Sequence, residues 1–378
     1  MRHARELAGE LGVGLALAGG AVRDLLRGGA VRDVDLVVEG DGIAFARRLA
    51  ERLGVAATAH PRFGTATLKL PGNAHLDVAS ARAETYPHPG ALPRVRAGSL
   101  SEDLERRDFS INAMALRLVP GRPRLEDPHG GRSDLARRRV RMLHASSPHD
   151  DPTRAFRAVL YSNRLGFRVA PATRKWIREA VARGAFERVS GDRLRRELVR
   201  ILSEPGRAEA VSAMSRLGIA SAIHPALPAN AAALARLRRA ERVEKEAGWF
   251  VFLLVWAARL GEADASALAR RLNLPRRGAR ALERWPRLVA DFERTGDTAA
   301  ERISDEERRA LSTLTPARPV RRVEPSVRGR DLVAAGVPPG PAIGRALAAT
   351  RAALSAGRIL PERELAYALA HARRGAAS

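Results

Sequence analysis

Between Leu15 and Val38 the chain reads LALAGGAVRDLLRGGAVRDVDLVV, and two groups of residues in it can do chemistry together. Asp33 and Asp35 alternate with Val34, Leu36 and Val38, so on a strand both carboxylates point to one face while the other face is buried. Hard oxygen donors paired in this way suit Mg²⁺. Gly19 and Gly20 stand between a short apolar strand, Leu15 to Ala18, and a helix opening at Ala21 that carries Arg23. A glycine turn leading into a helix start lets backbone N–H groups approach an anion closely, which is the requirement of a phosphate seat.

Three further groups extend this chemistry. Asp77 lies between Leu76 and Val78 on the second strand of a hairpin, Thr65–Leu70 and His75–Ser80, turned by Pro71, Gly72 and Asn73. It is either a third metal-associated carboxylate or an ordinary strand-edge Asp. In ERRDFSINAM, Arg106 and Arg107 can hold a triphosphate by forked hydrogen bonds. Asn112 can fix a ribose hydroxyl, and Asp108 can order an arginine or simply cap a helix. In HDDPTRAFR, Asp151 and Arg154 fall three apart, side by side on a helix, with Asp150 and Arg157 adjacent. A carboxylate next to a guanidinium can read the Watson–Crick edge of one nucleotide, the carboxylate taking the amino group of C or A.

The elements that must position these groups follow from composition and period. At 378 residues the chain is long enough for two to four domains, and 45% hydrophobic residues support folded cores. Aromatic residues make up only 4%, and Ala, Leu and Arg dominate, which favours helices. A formal net charge of +24 points to a polyanionic partner. Cysteine is absent, which excludes disulfides and zinc-thiolate sites. No apolar run reaches the length of a membrane span and the N-terminus has no signal-peptide core, so a cytoplasmic protein is expected. Residues 1–145 mix strands and helices, with Asp41 capping a helix to Leu53 and residues 85–103 read as a loop. From residue 146 the pattern is helical, broken at Gly184, Pro205, Gly218, Pro225, Gly261, Pro275 and Gly296. A further break at 320–329 precedes a closing helix pair. Trp249, Phe250, Phe252 and Trp256 read as core aromatics on one helix.

GGAVRD followed by DVDLVV resembles the polymerase-β-like nucleotidyltransferases, and more narrowly the class II tRNA nucleotidyltransferases and bacterial poly(A) polymerases. RRDFSINA resembles the family's second motif and LEDPHGGRSDL its third. HDDPTR resembles the Glu-Asp-x-x-Arg motif that acts as a protein template for CTP and ATP, with Asp150 where Glu is usual. The resemblance implies an α+β head with a small mixed sheet at 1–145, a helical neck at 146–205 that recognises the base, a helical body at 206–320 and a tRNA-binding tail at 321–378. It implies Mg²⁺ on Asp33 and Asp35, and a triphosphate positioned by Gly19, Gly20, Arg23 and Arg107. Arg193 and Arg196 after the template motif, and Arg328 and Arg330 in the tail, are the arginines it offers to tRNA. The implied reaction is addition of CCA, or part of it, to tRNA 3′ ends from CTP and ATP. Addition of A alone and poly(A) synthesis share these motifs. A catalytically silent RNA-binding protein is the reading from another class.

Overall fold

The structure is a computed structural model and describes residues 1–29, 31, 34–61, 64–88, 90–295, 303–314, 326–355 and 359–374. Asp33, Gly296 and residues 320–325 of the break before the tail lie outside the described residues. Two compact units are present, Met1–Leu314 and Thr315–Ser378.

The first unit opens with α1 (Arg2–Leu11), β1 (Gly14–Ala18), α2 (Gly20–Leu26), β2 (Val34–Glu39) and α3 (Gly42–Leu53). Asp41 caps α3 as its sequence implies, its carboxylate accepting from the N–H groups of Ile43 and Ala44, and Gly54 closes the helix in the left-handed region. Strands β3 (Ala57–His60), β4 (Thr65–Lys69) and β5 (His75–Ser80) follow, with the expected hairpin between β4 and β5. Then come β6 (Arg82–Thr85), β7 (Arg94–Ala97), α4 (Leu100–Glu105), β8 (Ala115–Val119), β9 (Arg124–Glu126), α5 (Gly131–Ala136) and β10 (Arg139–Val140). The main sheet is seven-stranded and mixed, in the order β3-β4-β5-β2-β1-β8-β9. Its apolar side packs against α1 and α3, burying Leu15, Leu36, Val38, Phe45, Leu49, Leu68 and Val78. At 20–33 cal/mol per Å² of apolar surface, a fully buried side chain of this size contributes about 2 kcal/mol each before chain entropy is subtracted.

Residues 85–103 are not the featureless loop that their prolines and glycines suggest. Strands β6 and β7 pair antiparallel as a separate ribbon, and Ser99 and Glu102 form a capping box that starts α4. The ribbon escapes a hydrophobic pattern because the Arg94–Ala97 strand is exposed throughout.

Helices continue through α6 (Ser147–Asp150), α7 (Thr153–Leu165), α8 (Pro171–Ala182), α9 (Gly191–Leu202), α10 (Arg207–Arg216), α11 (Ile219–Ile223), α12 (Ala231–Val243), α13 (Trp249–Trp256), α14 (Glu262–Arg271), α15 (Arg276–Thr295) and α16 (Asp305–Leu314). One short strand interrupts them: β11 (Arg168–Val169) pairs parallel with β10 and ties the end of the head to the helices. A continuous core joins Phe109 and Met142 to Phe156, Phe186, Phe252, Trp256 and Trp285. The indole N–H groups of Trp256 and Trp285 donate to the carbonyls of Pro228 and Leu254, at 2.6 and 2.8 Å, so neither buried donor is left unpaired.

The second unit comprises α17 (Gly329–Ala334), α18 (Pro341–Ser355) and α19 (Glu364–Arg374) around Leu332, Val337, Ala346, Ala368 and Ala372. Arg328 and Arg330 are exposed there. Asp331 accepts from the backbone N–H of Arg328 at 2.7 Å.

Candidate active site

A cavity of about 500 Å³ opens above the turn between β1 and α2. Its floor is Gly19, Gly20 and Asp35, one wall is Arg106, Arg107, Asp108 and Asn112, and the opposite wall is Asp151, Arg154, Arg157, Tyr161 and Arg193. The ribbon supplies Arg82, Glu84 and Tyr86 across the top. Six arginines face four carboxylates in this lining, so the site carries a positive surplus suited to a triphosphate.

The floor depends on glycine. Gly19 has φ 74°, and a Cβ there would stand 2.5 Å from Nη1 of Arg107. Asp35 stands opposite Asp77 in the parallel pairing of β2 with β5, so both carboxylates leave the sheet on one face. Asp77 is exposed, accepts from the Thr67 hydroxyl at 2.5 Å, and is not among the residues lining the cavity. Among the described residues no three His, Asp or Glu side chains cluster as a metal cage. Mg²⁺ commonly takes one or two carboxylates with water and substrate phosphate, so the oxygen donor of Asp35 in a polar cavity fits the ion.

The wall of Arg106 to Asn112 is organised by Asp103, a residue outside the recognised motifs. It is fully buried and serves two arginines, Oδ1 accepting from Arg106 and Oδ2 from Arg107 at 2.8 Å. Burial pushes the Asp103 carboxyl up, but Arg107 and Arg106 outweigh it and hold the group below the usual carboxylate range. Its position three and four residues before the arginines was the available signal, since i,i+3 and i,i+4 residues share a helix face. Arg106 also reaches Oε1 of Glu84 at 3.2 Å, and Arg107 donates to the carbonyl of Asn112 at 3.2 Å.

Arg23 sits behind the cavity rather than in it. Its guanidinium donates to both oxygens of Asp24 and, at 2.8 Å, to Oδ1 of Asn112. Asn112 in turn donates to Asp108 Oδ1 at 3.1 Å, so its amide is engaged on both sides. Arg23 therefore positions Asn112. Asp108 does order an arginine: its Oδ2 lies 2.6 Å from Arg157, an ion pair off hydrogen-bond alignment that raises the Arg157 pKa.

Asp151 and Arg154 both face the cavity, but not from one helix. Asp151 is extended at φ −133° and α7 begins only at Thr153. Pro152 explains this, because the residue before proline is driven out of the helical region. Asp151 Oδ1 accepts from the Thr153 N–H and hydroxyl and from Arg193 at 2.7 Å. Arg193 thus belongs to the same cavity, where it also donates to the carbonyl of Gly90. Arg196 lines a neighbouring groove with Arg188 and Arg96. Asp150 does not line the cavity, and among the described residues no hydrogen bond or ion pair joins it to Arg154. Arg154 is held instead by the Ser147 hydroxyl at 2.8 Å, the carbonyl of Arg106 at 2.7 Å and the Tyr86 hydroxyl at 3.4 Å. Tyr86 donates to Glu84 at 2.9 Å; burial, then the Glu84 charge working against the pull of Arg154, pushes its pKa to about 12, so it stays a donor at neutral pH.

Residues 15–141 match the poly A polymerase head domain, and residues 166–230 match a probable RNA and SrmB-binding site of polymerase A. The chain is 38% identical over 347 residues to a CC-adding tRNA nucleotidyltransferase of Deinococcus radiodurans, covering 88% of this chain and 83% of that one. It is 35% identical over 380 residues to an A-adding tRNA nucleotidyltransferase of Geobacter sulfurreducens, covering 90% of this chain but 43% of the relative, so it spans less than half of that protein's length. The structure of the Thermotoga maritima CCA-adding enzyme complexed with tRNA aligns with a TM-score of 0.70 at 26% identity, covering 98% of this chain and 94% of that one. With the α+β head, the helical remainder and the shared motifs, these similarities place the chain in the class II tRNA nucleotidyltransferase family.

Proposed function

We propose that the protein is a template-independent nucleotidyltransferase that adds CCA, or part of it, to tRNA 3′ ends from CTP and ATP. The observation that carries this reading is the convergence of the Arg106 to Asn112 wall and the Asp151 and Arg154 pair on one cavity with Asp35 at its floor. In this reading residues 1–145 supply the chemistry, 146–205 choose the base, 206–320 form the body and 321–378 grip tRNA. The activity belongs in the cytoplasm, where tRNA and nucleoside triphosphates meet.

Asp33 and Asp35 would hold Mg²⁺, with Asp77 as a third carboxylate. When bound, divalent metal of this kind favours ionisation of the attacking 3′ hydroxyl and neutralises charge at the departing pyrophosphate. Arg106 and Arg107, locked by Asp103, orient the phosphates for in-line attack at the α-phosphorus. Asp151 accepts the exocyclic amino group that C and A share, and Arg154 donates to the acceptor atoms beside it, which leaves U and G mismatched.

The test uses tRNAs ending before CCA, after C and after CC, each incubated with a single labelled nucleoside triphosphate and Mg²⁺. Incorporation of CTP or ATP, but not GTP or UTP, is expected, and the pattern of accepted ends distinguishes full CCA, CC and A addition. Asp35→Ala should lower incorporation at least about a hundredfold while the protein still folds. Absence of incorporation on every tRNA end would sink the enzymatic reading.

A further inference from the structure

A second basic surface lies at the opposite end of α7 from Arg154, roughly 16 Å along the helix at 1.5 Å per residue. Two cavities of about 410 and 630 Å³ adjoin there and share Phe167. Arg168, Arg174, Arg178 and Arg216 line the first, and Arg27, Arg132 and Arg138 line the second. Neither lining contains an Asp or a Glu. The two are physically continuous: the N–H of Arg168 donates to the carbonyl of Arg138 at 2.9 Å, and the Arg27 guanidinium lies 5.6 Å from the centre of the Phe167 ring.

This arrangement differs from the candidate active site. There five of the six lining arginines pair with a carboxylate, and Asp103 serves two of them. Of the seven here, only Arg27 has an ion-pair partner among the described residues, Asp24 at 3.9 Å, and Asp24 is already engaged by Arg23. Arg174 and Arg178 each donate to one backbone carbonyl, of Val169 and Arg216, and Arg216 donates to the Ser212 hydroxyl. A guanidinium has five N–H donors, so most remain available. All seven are exposed. A carboxylate-free band of forked donors is built for a ligand that repeats its negative charge along its length.

We propose that this band, on either side of Phe167, holds backbone phosphates of the helical part of the RNA substrate, at a site separate from the nucleotide cavity. The inference rests on the tRNA nucleotidyltransferase reading. RNA is favoured over an acidic protein partner because the two adjoining linings hold seven arginines and no carboxylate, a band that a chain of evenly spaced phosphates can follow, whereas a folded protein surface presents carboxylates mixed with cations. Phosphate contacts of this kind fix position without reading sequence, so the band contributes affinity and orientation but no choice of nucleotide.

The full chain carrying Arg174→Gln with Arg178→Gln, and separately Arg27→Gln with Arg132→Gln, would be titrated with tRNA by fluorescence anisotropy between about 50 and 200 mM salt. Each pair is expected to weaken tRNA binding about tenfold at the low-salt end and to make the plot of log affinity against log salt shallower by about 1 to 2. ATP and CTP binding without RNA should match the unaltered protein. Should one pair unfold the chain, the pair across Phe167 carries the same test. Unchanged tRNA affinity and salt slope in a folded variant would overturn the proposal, including where an acidic protein is found to need the same arginines. If the unaltered protein bound no tRNA, the underlying reading would fall first, and this inference with it.

Discussion

Arg154 donates through Nη2 to the backbone carbonyl of Arg106 at 2.7 Å, joining the wall that begins at Asp151 directly to the wall of Arg106 to Asn112. The rest of its support comes from Ser147 and Tyr86. Asp150→Ala is therefore expected to leave kcat/KM for CTP and ATP within about threefold. Ser147→Ala, which removes a buried charge-assisted hydrogen bond worth about 1.5–3 kcal/mol, should cost about tenfold or more in discrimination against UTP. Steady-state kinetics with each nucleotide would reveal a larger effect at Asp150 if this assignment of support were wrong.

Asp103→Asn removes the charge that holds two arginines together in a buried position. Breaking such an arrangement should destabilise the fold by about 3 kcal/mol at pH 7 and raise KM for the nucleotide. The sign with pH follows from the lowered pKa. A carboxyl depressed in the folded state contributes stability that is present above its unfolded pKa, near 4, and lost as pH falls through the lower folded value. Urea unfolding at pH 7 and at pH 3 should thus show the variant converging on the unaltered protein in acid. An equal gap at both values would count against the clamp.

Gly19→Ala meets two obstacles at once, a left-handed backbone and the Arg107 guanidinium. The backbone alone costs about 1–2 kcal/mol. Displacement of Arg107 should appear as weaker triphosphate binding in calorimetry, out of proportion to any loss in thermal stability. Wild-type affinity in this variant would remove the glycine turn from the phosphate site.

Glu197 offers a stabilising substitution. It is buried on α9, Arg200 donates to its Oε1 at 2.9 Å, and its Oε2 has no hydrogen-bond partner. Burial pushes its pKa up, only partly offset by Arg200 and Arg157. A carboxyl raised in the folded state costs stability once the solution is alkaline enough to ionise it, and that cost is absent where it is protonated in both states. Glu197→Gln is expected to raise Tm by about 2 °C or more at pH 7.5, an advantage that fades toward pH 4. Differential scanning calorimetry across that range would expose a variant that is less stable than its parent.

Much of the head could be read from residue order. The strand and turn before Arg23, the α3 helix capped by Asp41 and the β4–β5 hairpin all carry short-range signals, and the structure has each of them. The cavity wall formed by Arg106 to Asn112 was equally visible as a string. The β6–β7 ribbon was not, because its outer strand has no buried face to produce an alternating pattern. Glu84 and Tyr86 carry no signal of their own for the same reason. Spacing alone puts Asp151 on a helix, although Pro152 prevents that. For Arg193, nothing local says that α9 folds back beside Asp151, a pairing across 42 residues of chain.

The two walls of the cavity are contributed by stretches far apart in the chain, one ending at Asn112 and the other beginning at Asp151. Under the proposed function, a protein cut after Arg141 would retain the arginines assigned to a nucleotide's phosphates and forfeit the pair assigned to its base. It would be a polymerase without an alphabet. Literacy would arrive only with the helix beginning at Thr153, so that accuracy and capacity for chemistry would be inherited from different halves of one molecule.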